Sequence, residues 1–217
     1  MPQRDNREYR MMPVMTQPEE RSAQRLVTDF YVEGYATTFD QPYLLYSDGN
    51  EKLFEQISRN AFDNTDMTDV IFQHNHEGKC FARTKMRADK APTLILEPQD
   101  VGLFIAADLS MIEEGREEWR AITGGLVYQM SFAFTVSDDE ITTIGDGEYL
   151  RTIKSIRKVY DVSSVDMPAN PYTFIDTPAR AAFDGYIEMR RQEMLRAAEE
   201  TEAKLKALAR IRILAES

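Results

Sequence analysis

Two histidines, His74 and His76, are the only imidazoles in this 217-residue chain. Because histidine is the side chain that exchanges a proton near neutral pH, acid–base chemistry by an imidazole must use this segment. The apolar run 70–72 before the pair predicts a strand that enters a turn at Glu77-Gly78. Residues two apart on a strand share a face. The spacing therefore suits two metal ligands, one working histidine with a neighbour, or two ordinary loop residues.

A histidine base in nucleophilic catalysis needs a hydroxyl or thiol to activate and usually a carboxylate to hold its ring. Ser131 stands between bulky apolar residues on a predicted strand, where a buried hydroxyl costs stability unless it is hydrogen-bonded. Cys80 follows His76 by four residues, and a lone cysteine in such a setting is more often a small packed hydrophobe. Asp161 is the candidate acid because it interrupts an apolar–polar strand pattern. A carbonyl partner for Ser131 and an exposed ion pair for Asp161 are the structural alternatives.

A metal site is another use for the histidine pair. It would need Glu77 or Asp69 to complete the ligand set. The chain offers no third ligand at a spacing typical of a metal centre, so no metal or other cofactor is predicted. The literal string His-Asn-His does not indicate a nuclease, because that name describes residues scattered over a larger motif.

Composition limits the function classes. The formal net charge is −11, and Lys and Arg form no run on an aromatic segment, so we expect no nucleic-acid partner. The single cysteine excludes an internal disulfide framework and suits a reducing cytoplasm. The sequence has neither a recognisable signal peptide nor an apolar stretch of the ~18 residues that a membrane span requires. We therefore expect no membrane association.

Short strand-like runs separated by turns predict an α+β fold. Its core is expected to be mostly antiparallel and β-barrel-like, with surrounding helices. Residues 1–26 are predicted to be a flexible leader, 27–176 the main domain and 177–217 a helical tail. Within these, we expect a polar loop near 137–147, and a short helix or a strand at 51–59. Strands are predicted at 27–38, 79–86, 93–97, 102–109, 126–136 and 151–165, and helices at 110–123 and 179–213, the latter long and amphipathic.

Six segments, taken in order and spacing, resemble the prohead maturation proteases of HK97-type tailed bacteriophages, a group related in fold to herpesvirus assemblins. The resemblance covers about residues 30 to 175. The resemblance lies in the order and spacing of the six segments together. The segments are 32–39, 57–62, 70–75, 102–107, 130–134 and 159–171.

The resemblance implies a serine endopeptidase with His74 as general base, Ser131 as nucleophile and Asp161 as the orienting acid. The family typically has Glu at the position of Asp161 and Gly at that of Ala133, and the shorter acid shifts the carboxylate by about one methylene. Such enzymes cut the major capsid protein or the scaffold protein, and often themselves, inside the assembling procapsid in the host cytoplasm. A homodimer through a helix is a further expectation from the fold. The alternative is an inactive scaffolding protein of the same fold that acts through its C-terminal helix.

Overall fold

The computed structural model of the chain describes residues 7–12, 15–16, 25–88, 90–166, 183–197 and 201. The chain divides into two compact units, Met1–Pro178 and Ala179–Ser217.

The described part of the first unit contains eleven strands and two helical segments. The helical segments are a 3-10 helix, Arg59–Phe62, and the α-helix α1, Glu113–Thr123. The strands are β1 (Glu8–Met12), β2 (Met15–Thr16), β3 (Tyr31–Thr38), β4 (Tyr43–Ser47), β5 (Lys52–Ile57), β6 (Ile71–His74), β7 (Glu77–Arg83), β8 (Leu94–Pro98), β9 (Gly102–Asp108), β10 (Gln129–Gly145) and β11 (Glu148–Val165).

These strands form two sheets. One sheet has the order β1-β10-β11-β5-β4, with β6 and β7 attached through a β6–β11 pairing, and the other has the order β2-β3-β9-β8. The strands pair antiparallel except where β11 meets β5 and β6 in parallel. The predicted α+β class is thus confirmed. The barrel-like core is not, because the described strands make two separate sheets and no closed barrel.

The hydrophobic core draws side chains from both sheets and from α1. Val32 and Leu103 come from the smaller sheet, Phe132 and Ile156 from the larger one, and Ile122 from the helix. Phe132 is fully buried, and its neighbours in the sequence on β10 include the candidate nucleophile. Burial of this apolar face fixes the register of β10 and therefore the position of Ser131.

The structure decides one prediction that was left open, at 51–59, and differs from two others. Residues 51–59 contain a strand because 52–57 alternate in burial, which suits a half-buried sheet position. The expected polar loop 137–147 is mostly the outer part of the long β10–β11 hairpin. Residues 8–12 were expected in a flexible leader, yet they form β1 and bury Glu8 and Arg10. That expectation fails there because charge pairing, which hydropathy patterns ignore, anchors the strand.

The second unit contains an α-helix, α2, at 183–197, and residue 201 is helical too. This confirms a C-terminal helix, and the rest of the predicted 179–213 span lies outside the described residues. None of the helices in the described ranges is long and apolar enough to cross a membrane.

Candidate active site

The β6–β7 hairpin positions the histidines. Strand β6 ends at His74, which pairs with Glu77, so Asn75 and His76 form a two-residue turn. Both have positive φ, 48° and 59°. Two successive positive-φ residues match the twist of a tight hairpin, a conformation that Asn adopts readily. Non-glycine residues held in this region are uncommon and tend to occur at functional sites.

The turn directs His76 toward two predicted site residues. His76 Nε2 lies 2.6 Å from Ser131 Oγ, and Nδ1 lies 2.5 Å from Asp161 Oδ1. Ser131 and Asp161 are almost inaccessible, while the His76 side chain is 16% exposed. With Nδ1–H donating to the carboxylate, Nε2 is free to accept the serine proton. The three groups therefore form a continuous hydroxyl–imidazole–carboxylate chain.

Strand register explains why Ser131 and Asp161 share a face. Ser131 pairs with Ser163 across the β10–β11 ladder, and Asp161 lies two positions from Ser163 on the same strand. Side chains two apart on a strand point to the same side, so all three meet at one face. Asp161 stands where the resemblance implies Glu, and its shorter side chain reaches the imidazole.

The structure does not bring His74 to Ser131. The predicted placement of His74 beside the candidate nucleophile was therefore wrong. His74 pairs with Ser164 in the β6–β11 ladder, and Ser164 lies on the opposite face of β11 from Asp161 and Ser163. The choice of His74 came from the resemblance, and the expectation that the two histidines share a face assumed a strand that continued through His76 to a turn at Glu77-Gly78. The strand ends two residues earlier, so the histidines do not share a face.

His74 instead belongs to a separate polar cluster with α1. Its Nδ1 lies 3.2 Å from Glu118 Oε1, which also accepts a 2.6 Å hydrogen bond from Ser164 Oγ. Asn75 Nδ2 donates to His74 Nε2 at 2.9 Å and to Asp166 Oδ2 at 3.0 Å. The Asn75 hydrogen bond lowers the pKa of Asp166. This cluster ties one end of the Asn75-His76 turn to α1.

Ser163 is a site residue that the sequence reasoning missed. It is fully buried, and its Oγ donates to Asp161 Oδ1 at 3.0 Å while accepting from the His76 backbone N–H at 3.3 Å. These bonds hold the carboxylate and the turn together. The alternating placement of Asp161 and Ser163 on a predicted strand was a usable signal, but nothing in the sequence linked Ser163 to the histidine segment.

The other candidates lie apart from this chain of bonds. Cys80 is half-buried, and burial raises the pKa of its thiol, which disfavours the thiolate. Asp69, a proposed metal ligand, forms a bidentate ion pair with Arg83. Within the described residues, no group of three or more His, Cys, Asp or Glu side chains is arranged to hold a metal ion.

A buried serine, an imidazole and a carboxylate joined in this order are the parts of a serine hydrolase. The model of the caudovirus prohead serine protease family matches residues 17–185, and the chain belongs to that family. The matched range includes Ser131, His76 and Asp161. No curated protein and no solved structure matches the chain significantly.

Proposed function

We propose that this protein is the serine endopeptidase that processes the capsid or scaffold protein during bacteriophage prohead maturation. The observation that carries the proposal is the Ser131–His76–Asp161 hydrogen-bond chain inside a domain of the prohead protease family. Family membership supports proteolysis in general, and the geometry supports these three residues as its agents. The same membership and the α+β core support kinship with the assemblin fold.

Each residue has a distinct role in the proposed reaction. Ser131 Oγ attacks the scissile carbonyl carbon while its proton passes to His76 Nε2. The imidazolium then gives that proton to the leaving amine, and water later hydrolyses the acyl-enzyme by the same route. Asp161 holds the Nδ1–H tautomer and stabilises the positive ring. Backbone amides near Ser131 are proposed as the oxyanion donors.

The proposed substrates are the major capsid protein, the scaffold protein and the chain itself, and the proposed location is the assembling procapsid inside the host cell. Homodimerisation stays a prediction. An inactive scaffolding role predicts no cleavage by the unaltered chain, which separates the two functions in a single assay.

The test is to co-express the chain with its capsid and scaffold proteins and to map new termini by mass spectrometry. Ser131→Ala should abolish processing. Ser137→Ala is a matched control, because Ser137 lies exposed on the same strand and should leave processing unchanged. Continued processing by Ser131→Ala would refute the assigned nucleophile, and uncut substrates with the unaltered chain would support the scaffolding role.

A further inference from the structure

Strand β1 lies along β10 beside the candidate nucleophile. The antiparallel register places Met11 opposite Ser131 and Tyr9 opposite Ala133. Ser131 is only 2% exposed, although a nucleophile must reach a substrate carbonyl. An extended peptide that pairs with the edge of β10 would run about 4.8 Å from it, which is the position that β1 occupies.

The same strand contacts the proposed base. The Tyr9 ring meets the His76 ring edge-on, with centroids 4.6 Å apart and planes at 73°. Aromatic pairs favour this arrangement. Tyr9 thus packs on the ring that must accept the Ser131 proton.

The other face of β1 is anchored by a network of ion pairs that Glu8 and Arg10 form with Glu55 of β5 and Arg151 of β11. Arg10 Nη2 donates to Glu55 Oε2 at 2.8 Å, and Arg10 Nε also bonds the same carboxylate. Glu8 accepts two hydrogen bonds from Arg151, at 2.6 and 2.8 Å. All four side chains are at most 3% exposed. Glu55 and Arg151 are neighbours in the β5–β11 ladder. Together they can therefore bind an arginine and an acid that lie two positions apart on one strand.

The family match covers the residues that contact β1, but it does not cover β1 itself. The family match begins at residue 17, so β1 precedes it, whereas Glu55, Ser131 and Arg151 lie within it. The matched range therefore contains both the edge of β10 and the Glu55–Arg151 pair. Without β1 that edge would present unpaired backbone groups, the usual template for an added strand.

We propose that the edge of β10 from Met130 to Phe134, with Glu55 and Arg151, is a peptide-binding site. Residues 8–12 occupy it in cis, and it accepts an extended peptide of the pattern acid–any–arginine in their place. That the bound peptide is a substrate rests on the proposed function. Peptide binding itself requires no catalysis. Because the tethered strand competes at a high effective concentration, free peptide binds the unaltered chain weakly.

The test uses the full chain carrying Ser131→Ala, so that nothing is cut. The probe is a fluorescent peptide of residues 5–14, and binding is measured by anisotropy. Adding Arg10→Ala to the chain weakens the tethered strand and should tighten peptide binding by about tenfold or more, the value of a charged hydrogen bond. Adding Lys154→Ala is the control, since it removes only the exposed Lys154–Glu140 pair on the same hairpin and should leave binding unchanged.

A second probe, the same peptide carrying Arg10→Ala, should bind about tenfold or more weakly than the first. Equal binding of the two peptides, or no gain in the folded Arg10→Ala chain, overturns the proposal. If that chain is unfolded by circular dichroism, the first peptide should restore its thermal transition, and failure to do so also overturns it. Peptide binding without any protease activity in the unaltered chain would support the binding site and refute the proposed function. Protease activity without peptide binding would support the proposed function and refute the binding site.

Discussion

Replacing each histidine in turn should separate a base from its neighbour. His76→Gln removes the only imidazole that contacts Ser131, while His74→Gln removes one whose partners are Glu118, Asn75 and Asp166. Loss of the base in a serine triad costs about 10⁴- to 10⁶-fold in kcat. This corresponds to about 5–8 kcal/mol of transition-state stabilisation.

The expected loss for His74→Gln is less than about tenfold in kcat, because a glutamine amide can still donate to Glu118 and tie the turn to α1. The assay is initial-rate cleavage of a peptide that spans the mapped capsid cleavage site. Thermal unfolding of each variant shows whether the fold survives. Equal losses in two folded variants, or a larger loss for His74→Gln, would refute the assignment of His76.

Two further predictions concern the carboxylates. Asp161→Asn should lower kcat by about 10⁴-fold with the fold intact, because an amide at that position favours the wrong imidazole tautomer, and a loss below about tenfold would contradict the orienting role. Glu55→Gln should lower the free energy of unfolding by about 3–5 kcal/mol at neutral pH, as measured by urea denaturation, because it removes the buried carboxylate charge that pairs with both Arg10 and Arg151. Burial alone would raise the pKa of Glu55, but Arg10 and Arg151 outweigh that effect and lower it. Because the pKa of Glu55 is lower in the folded chain, its carboxylate stabilises the fold fully at pH values above its unfolded-state pKa, near 4.5. That contribution is lost as the pH falls through the folded-state pKa. The unaltered chain should therefore lose stability more steeply in acid than Glu55→Gln.

The parts of the site that were predictable rest on strong local patterns. Ser131 and Asp161 lie on strands whose apolar alternation is plain in the sequence, and the family's motif order linked them. The resemblance favoured His74, whereas the structure selects His76 because β6 ends at His74. The sequence predicts the turn at Glu77-Gly78 because glycine favours turns. The observed turn is two residues earlier, at Asn75-His76, where both residues have positive φ.

Other features depend on long-range pairing that no local window contains. The hairpin of β10 and β11 extends through residues whose polarity favours a loop, because each strand pairs with its neighbour over most of its length. Strand β1 is held by the pairing of Glu8 and Arg10 with Glu55 and Arg151, residues far away in the chain. Hydropathy patterns treat all four as surface residues.

Covalent labelling directly tests whether His76 activates Ser131. A fluorophosphonate forms a phosphorus–oxygen bond with an activated serine as fluoride leaves, and peptide mass spectrometry locates the adduct. We predict modification at Ser131, retained in His74→Gln and lost in His76→Gln. Labelling at another serine, or labelling of Ser131 at the same rate without His76, would contradict it.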